Sequence, residues 1–353
     1  MKILTRSVLC IILSILMKGT VQAQQLPNIS FYRHNWSQIN PAAFPREYIE
    51  LRDMTVFTNV NARSQRHNVV KGAPRSVDAR GEFVFGNQFY TDSKIAFSLH
   101  TEQAGAIRDF KGQLGYSWIT SLNTRKYDVG FLSIGGSVDY NNKRAQTSDV
   151  NWESPSNIPE IRDVNYANFN LGAFYYFGRG IAQKEEESVR EQIERNPYKE
   201  PYGFVGVSWS QAKALGFTEF LNQKSHLNLI VGGVLQRIEP TVWLRYSPGL
   251  EFESMNMTLP FIADFNIRYI YKLSLSQSRK MAGNQFWIGT GVSTAATMNI
   301  EAGYRGWLDK SKGKKNTPNY YQIAFAYTGF RLSSLAIPRP NDFEVNLSWN
   351  LGK

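Results

Sequence analysis

The sequence predicts an all-β fold, a transmembrane antiparallel β-barrel of about fourteen strands with one short helical loop insertion. Three observations predict it: apolar and polar residues alternate with a period of two, aromatic residues lie near the strand ends, and the chain begins with an export signal. Alternation means that one face of each strand meets an apolar medium and the other meets water. A soluble β-sandwich produces the same alternation and remains the alternative architecture.

The first 23 residues have the features of a secretory signal peptide. Lys2 and Arg6 precede an apolar run from Ser7 to Met17, and Val21-Gln22-Ala23 forms a small-x-small cleavage site. A buried N-terminal helix is the simpler alternative for this segment. We expect cleavage after Ala23 and therefore export of the chain.

Cleavage there divides the chain into a signal, 1–23, and a mature barrel, 24–353. Residues 24–48 would form a lead segment before the first strand. Cleavage also removes Cys10, the one cysteine of the chain, and with it any disulfide, thiolate metal site or cysteine nucleophile.

The charge balance is basic, with 40 Lys and Arg residues against 29 Asp and Glu residues and a formal charge of +11. Nucleic-acid binding requires clustered basic residues, and here they are scattered, so nucleic acid is not expected as a partner. Mean hydropathy is −0.36, and no later segment approaches the ~18 apolar residues of a spanning helix. A barrel has such a low average because only alternate strand residues face lipid.

The alternating segments define the expected strands. The clearest are Met255 to Tyr271 and Phe343 to Leu351. Most segments are about 9–12 residues long, as a tilted strand needs to cross a bilayer. The expected strands lie near 49–60, 76–85, 94–102, 112–122, 127–141, 167–177, 202–210, 226–236, 242–250, 255–271, 286–294, 297–307, 319–330 and 342–351.

Glycine and aromatic residues support a closed sheet. Glycine inside strands permits the bending that a barrel requires, and aromatic residues at strand ends are typical of an interfacial girdle. The glycines are Gly115, Gly130, Gly135, Gly136, Gly232, Gly233, Gly289 and Gly291. The girdle candidates are Phe89, Tyr90, Tyr175, Tyr176, Trp307, Tyr320, Tyr321 and Trp349.

Two charged segments interrupt the strand pattern. Residues 183–196 predict a helix with an i,i+4 pair of Glu186 and Arg190, and residues 310–315 form a basic run that includes Lys314 and Lys315. Each follows an even-numbered expected strand, so both lie at the same end of the barrel. Solvated loops are the simpler interpretation. The more specific alternative is docking to another protein or, for the basic run, contact with anionic lipid.

The sequence contains little that points to catalysis. The four histidines are not at metal-ligand spacing, and no G-x-S-x-G elbow, P-loop or H-E-x-x-H motif occurs. We therefore expect no catalytic residue, cofactor or metal. A hydrolase that assembles Ser and His from distant strands stays open as an alternative.

The Asn40-Pro41 step has a physical consequence of its own. Proline fixes its own φ and restricts the preceding residue to an extended conformation. The step would turn the chain into the first strand or against the barrel mouth. A structural turn is the simpler interpretation, and a partner contact is the alternative.

Several short motifs occur in a fixed order along the chain. They are Phe31-Tyr32, Asn35, Ile39-Asn40-Pro41-Ala42, Gly72-Ala73-Pro74, Tyr202 to Ser208, His226-Leu227-Asn228, Gly232-Gly233, Glu239-Pro240-Thr241, Trp243-Leu244-Arg245-Tyr246, Phe286 to Gly289, Gly303-Tyr304-Arg305 and Asp342 to Trp349. Together they resemble the PorP/SprF family of outer-membrane proteins in the type IX secretion and gliding machinery of Bacteroidetes-type bacteria. The chain departs from the family pattern at Ala43-Phe44-Pro45 and at the final Asn350 to Lys353.

The resemblance implies a non-catalytic component in the outer membrane of a Gram-negative bacterium. It would dock other machinery proteins, including periplasmic ones, and support secretion or surface attachment of adhesin-like cargo. Candidate contact residues come from the family motifs and the charged segments: Asn40, Pro41, Ala42, Pro240, Trp243, Tyr246, Glu186, Arg190, Lys314 and Lys315.

A passive diffusion channel is the alternative function. A fourteen-stranded barrel lies between small barrels that side chains fill and porins with open channels. We therefore expect a plugged or narrow lumen. Large, stable conductance would favour the channel.

Overall fold

The structure, a computed structural model, describes most of the strand-forming part of the chain. The described residues are 35–44, 54–64, 75–87, 91–104, 107–125, 128–145, 164–179, 202–215, 225–235, 237–247, 251–252, 257–258, 261–272, 284–294, 297–308, 319–331 and 342–352. The predicted signal, the predicted helix at 183–196 and the basic run at 310–315 lie outside them. Within the described ranges, no helix has the length and apolar character needed to cross a membrane.

Fourteen antiparallel strands form one closed barrel, in which the first strand of the chain pairs with the last. The barrel strands are β1 (Met54–Ser64), β2 (Arg75–Asn87), β3 (Thr91–Ala104), β4 (Ile107–Arg125), β5 (Asp128–Ala145), β6 (Val164–Arg179), β7 (Tyr202–Leu215), β8 (His226–Val234), β9 (Ile238–Tyr246), β12 (Phe261–Lys272), β13 (Gln285–Ser293), β14 (Thr297–Leu308), β15 (Asn319–Arg331) and β16 (Asp342–Gly352). A separate pair, β10 (Glu251–Phe252) and β11 (Met257–Thr258), lies between β9 and β12. The predicted barrel and strand number are confirmed.

Exposure alternates along the strands in the sense opposite to that of a soluble protein. In β3, Ile95, Phe97 and Leu99 are 40%, 43% and 49% exposed, whereas Lys94 and Ser98 between them are buried. Around the barrel the outer face is largely aliphatic and aromatic, and the inner face carries the buried Asn, Ser, Arg and Glu side chains together with an apolar set that includes Phe174, Phe204 and Trp243. A sandwich would bury its apolar face, so this arrangement excludes the sandwich and provides an apolar belt for lipid.

Some strand boundaries differ from the predicted ones. The first strand runs on to Ser64 because the polar side chains of Asn61 and Arg63 face the lumen, where they are tolerated. The predicted strand 255–271 begins only at Phe261, and Met257–Thr258 pairs with β10 instead. In the sequence, Pro260 directly precedes the first residue of β12, and proline has no N–H to donate to a ladder hydrogen bond.

The aromatic girdle is only partly as predicted. Tyr321 and Trp349 face outward, whereas Tyr176 and Tyr320 are buried inside the barrel. Adjacent residues of a strand point to opposite faces, so one member of each predicted tyrosine pair had to point inward.

Alternating strand direction gives the barrel two rims. The termini rim carries the start of β1 at Met54 and the end of β16 at Gly352; the far rim carries Ser64 and Asp342. The connection from β6 to β7 and that from β14 to β15 both leave the termini rim. These connections contain the two charged segments, so the strand order agrees with their predicted placement at one end.

Candidate functional site: an N-terminal segment in the lumen

Residues 35–44, here called the lumenal segment, lie inside the barrel. Nine of these ten residues are buried, and only Gln38 is half-buried. The segment begins with a single helical turn, α1 (Trp36–Ile39). Asn40 follows in an extended conformation with φ −134° and ψ 107°, as the following proline requires. The predicted turn at Asn40-Pro41 therefore exists, but it lies within the lumen.

The Asn40 side chain joins the segment to the barrel wall. Its Nδ2 donates hydrogen bonds to the carbonyl oxygens of Ala173 (3.0 Å) and Val207 (3.1 Å), which are cross-strand partners in β6 and β7. Its Oδ1 accepts a hydrogen bond from the backbone N–H of Ala42 at 3.0 Å. The one side chain thus shapes its own turn and anchors it to two strands.

Two lumen-facing glycines make this close approach possible. A Cβ atom at Gly172 would overlap Asn40 Oδ1, and one at Gly206 would overlap the Phe174 ring and lie 3.0 Å from Asn40 Nδ2. A larger residue at Gly172 would displace the asparagine, and one at Gly206 would displace the Phe174 ring. Glycine is required here for close packing against the wall.

Aromatic side chains from β6 and β7 hold both ends of the segment. The Trp36 ring lies 4.6 Å from Phe204 and 5.5 Å from Phe174 between ring centroids, and Phe44 lies 4.7 Å from Tyr176. Such tilted pairs add to the stabilisation that burial supplies. The segment forms the centre of the largest buried apolar cluster in the described residues.

Side chains of the barrel wall also donate hydrogen bonds to backbone carbonyl oxygens of the lumenal segment. Ser208 Oγ donates to the Ile39 carbonyl at 2.7 Å, and Tyr176 Oη donates to the Phe44 carbonyl at 3.0 Å. Lys94 Nζ donates to the Ala43 carbonyl. Lys94 is fully buried, and its Nζ lies 3.9 Å from Glu82 Oε2, so a buried ion pair supports the contact.

Another part of the lumen wall, on β12 to β14, contains a buried ion pair. Arg268 forms two hydrogen bonds with the Glu301 carboxylate, at 2.5 and 2.8 Å, reaching from β12 to β14. They meet over Gly289 of β13, where a Cβ atom would lie 2.6 Å from Glu301 Oε1. This glycine, interpreted from sequence as a strand bend, provides space for an ion pair inside the barrel.

The predicted contact residues occupy different environments. Asn40, Pro41 and Ala42 are buried in the lumenal segment, and Trp243 is buried inside the barrel with Nε1 3.2 Å from Asn228 Oδ1. Pro240 and Tyr246 lie on the outward face of β9. Glu186, Arg190, Lys314 and Lys315 lie outside the described residues. A role in partner contact stays a prediction for all ten.

Proline is accommodated in β9 because of its position. The ladder between β8 and β9 ends at the pair of Gly232 and Thr241, one residue after Pro240. Pro240 has no backbone N–H, but none is needed at this position because the β8–β9 ladder does not extend to it.

The described side chains offer no metal site, since no group of three or more His, Cys, Asp or Glu residues converges among them. His100 shows why such a residue is structural here. Its Nδ1 lies 2.6 Å from Asp78 Oδ1 and its Nε2 3.6 Å from Glu102 Oε2. The carboxylates flank opposite sides of the ring and do not surround one point.

Sequence reasoning missed Lys94, Gly172 and the aromatic side chains of β6 and β7 that pack against the lumenal segment. One signal was available: the inward positions of β6 read Gly172, Phe174 and Tyr176, an apolar run on a face that is elsewhere polar. In a barrel with a polar lumen, inward aromatic residues beside a glycine indicate something packed against them.

The sequence model of a protein family described as "Type IX secretion system membrane protein PorP/SprF" matches residues 21–327. No curated protein matches the chain in sequence.

Several solved structures share part of the backbone arrangement. A deletion mutant of the monoaromatic hydrocarbon channel TodX has 10% identity and a TM-score of 0.48, with 97% of this chain and 98% of that one covered. The toluene transporter TbuX from Ralstonia pickettii has 8% identity and a TM-score of 0.45, with 89% and 92% covered. CdiB from Acinetobacter baumannii has 7% identity and a TM-score of 0.44; 83% of this chain is covered, but only 60% of the length of CdiB. At these values the three proteins say nothing about what this chain binds or transports.

Proposed function

This chain belongs to the PorP/SprF family of type IX secretion system membrane proteins, and from this premise we propose that it is a non-catalytic docking component of that machinery in the outer membrane. It binds other machinery proteins, including periplasmic ones. Through them it supports secretion or surface attachment of adhesin-like cargo. Its host is a Gram-negative, Bacteroidetes-type bacterium.

The lumenal segment is the observation that carries this proposal. Ten residues packed on β6 and β7 occupy interior space that an open diffusion channel would need. Hydrogen bonds from Asn40, Ser208, Tyr176 and Lys94 hold the segment in place. A barrel with such an interior is better suited to presenting surfaces at its rims than to passing solutes.

The docking surface is assigned to the termini rim. In single-chain outer-membrane barrels the termini face the periplasm, so this rim would meet periplasmic partners. Both charged segments attach there, and they contain Glu186, Arg190, Lys314 and Lys315. Charged side chains at an interface mainly determine specificity and association rate.

Affinity purification from native outer membranes tests the docking role. We expect the double variants Glu186→Ala/Arg190→Ala and Lys314→Glu/Lys315→Glu to fold normally. Mass spectrometry should detect fewer co-purifying machinery proteins with these variants than with the wild type. Matched charge changes at Arg66 and Lys71, which the sequence places in the connection from β1 to β2 at the far rim, should retain them. Unchanged partners in both double variants would contradict the assignment of the termini rim.

Planar-bilayer conductance tests the alternative of a channel. The proposal expects no large, stable openings from the wild-type barrel. Two results together would contradict docking and indicate diffusion as the function. They are frequent openings of porin size and normal secretion after loss of all co-purifying proteins.

A further inference from the structure

Charged side chains are rare on the outer face of the barrel, and those described lie together. Among barrel-strand residues whose side chains the structure describes, the outward-facing charged ones are Arg75, Arg108 and Arg144, here called the arginine row. All three are exposed. The other described outward-facing strand residues are apolar, glycine or uncharged polar.

The strand register places the arginine row on one rung at the far rim. Arg75 pairs with Gln103, Gln103 with Arg108, and Arg108 with Arg144. Residues directly opposite each other on adjacent strands share a face, with Cα atoms about 4.5–5.5 Å apart. Like charges directly opposite each other destabilise a sheet, so an anion bound between the facing Arg108 and Arg144 would relieve their repulsion. Arg144 Nε also donates a hydrogen bond to Asn142 Oδ1 at 2.9 Å.

The row borders the apolar belt directly. The next outward positions toward the barrel middle include Val77 and Phe110, and Leu99 and Tyr140 follow, all exposed. Successive outward positions on a strand are about 6.6 Å apart. The guanidinium groups therefore lie at the height of lipid headgroups, immediately beyond the surface that contacts acyl chains.

Among the described residues at this height, the acidic side chains point the other way. Asp78 and Glu102 face the lumen and contact His100, and Asp109 faces the lumen and pairs with Lys143. The outer surface of β2–β5 consequently presents positive charge toward the membrane interface.

We propose that the arginine row binds the phosphate groups of lipopolysaccharide, whose acyl chains lie on the apolar face of β2–β5 beneath it. The planar guanidinium forms paired, charge-assisted hydrogen bonds with phosphate oxygens. Two facing arginines and a third two strands away can hold more than one phosphate of a single headgroup. The choice of lipid rests on the orientation proposed above, in which the far rim lies in the outer leaflet.

The test uses the purified, delipidated full-length barrel in detergent. The readout is the temperature at which the folded band is lost on semi-native gels, titrated with lipopolysaccharide, phosphatidylethanolamine or inorganic phosphate. We expect lipopolysaccharide to raise this temperature. Arg108→Gln and Arg144→Gln should each weaken the apparent affinity about tenfold or more.

Arg237→Gln is the matched control, because Arg237 is exposed at the opposite rim with Nη1 3.3 Å from Tyr269 Oη. It should leave the affinity unchanged. Without lipid, Arg108→Gln should keep or raise the transition temperature, since it removes a like-charge contact. Equal affinity of Arg108→Gln/Arg144→Gln and wild type, or equal stabilisation by inorganic phosphate or phosphatidylethanolamine, would overturn the proposal. The assay contains no secretion protein, so its result is independent of the docking role.

Discussion

The side-chain amide of Asn40 donates a hydrogen bond of 3.0 Å to the backbone carbonyl of Ala173, across 133 positions of sequence. The contact joins a residue that precedes the first strand to the wall of the sixth. Because the asparagine also holds its own turn through Ala42, the N-P-A motif is part of the barrel interior.

Asn40→Ala should lower the free energy of unfolding by about 1–3 kcal/mol, because buried backbone groups lose their partner. Asn40→Asp should cost at least as much, since it places a carboxylate against the carbonyls of Ala173 and Val207. Urea unfolding of the reconstituted barrel measures both. Thr101→Ala, at an exposed position of β3, should change stability by less than about 0.5 kcal/mol. A milder effect of Asn40→Asp than of Asn40→Ala would show that the amide donor is not used.

Gly172→Ala should destabilise the barrel by about 1–3 kcal/mol, because the new methyl group overlaps Asn40 Oδ1. We also expect displacement of the lumenal segment to produce conductance in planar bilayers. Gly112→Ala is the control, since the nearest atom to its Cβ would be Leu99 Cδ2 at 3.9 Å. Identical stability and conductance of the two variants would place the segment elsewhere.

Lys94→Met should lower the free energy of unfolding by about 3–5 kcal/mol, because it leaves Glu82 buried without one of its cations. Among the described residues, Glu82 also pairs with Arg80, at 3.2 Å. A double-mutant cycle with Glu82→Gln should give a coupling energy of about 0.5–3 kcal/mol. Lys111→Met removes a lysine that is 33% exposed and paired with Asp139, and it should cost less. Additive single effects would mean that Lys94 and Glu82 do not interact.

Cysteines at Val60 and Leu347 should form a disulfide in the folded barrel. These residues are directly opposite on the outer face of β1 and β16, where Cβ atoms are about 4.5–5.5 Å apart, and the bond closes the barrel covalently. We expect a gain of about 2–4 kcal/mol, seen as a mobility shift and as resistance to urea. Val60→Cys with Val345→Cys is two residues out of register and should oxidise more slowly. Faster oxidation of that pair would indicate a different register.

Much of the fold could be predicted because a barrel repeats one local rule. The period of two in β3 and β16 requires only adjacent residues, and it separates lipid-facing from lumen-facing positions. Boundaries were less predictable: polar inward residues such as Asn61 and Arg63 look like a loop in sequence, yet they extend β1. The pattern at 255–259 was misleading for the converse reason, since its alternation includes Met257 and Thr258, which pair with β10 and not with a barrel strand.

The lumenal segment was less accessible to sequence reasoning. The local consequence of Asn40-Pro41, an extended asparagine and a turn, was predicted because proline imposes it on its neighbour. The packing of Asn40 against Gly172, Gly206 and Phe174 was not predicted, because these residues come together only when β6 and β7 pair.

The sequence by itself therefore determined the class of fold, the number of strands and the restricted backbone at Asn40, since each depends on residues a few positions apart. Tertiary structure alone decided that Asn40 meets Ala173, that Lys94 supports the segment from β3, and that Arg75, Arg108 and Arg144 share one rung. These relationships depend on strand register. Register joins residues far apart in the chain. The alternation within a strand excludes offsets that differ by one residue, but it does not distinguish offsets that differ by two.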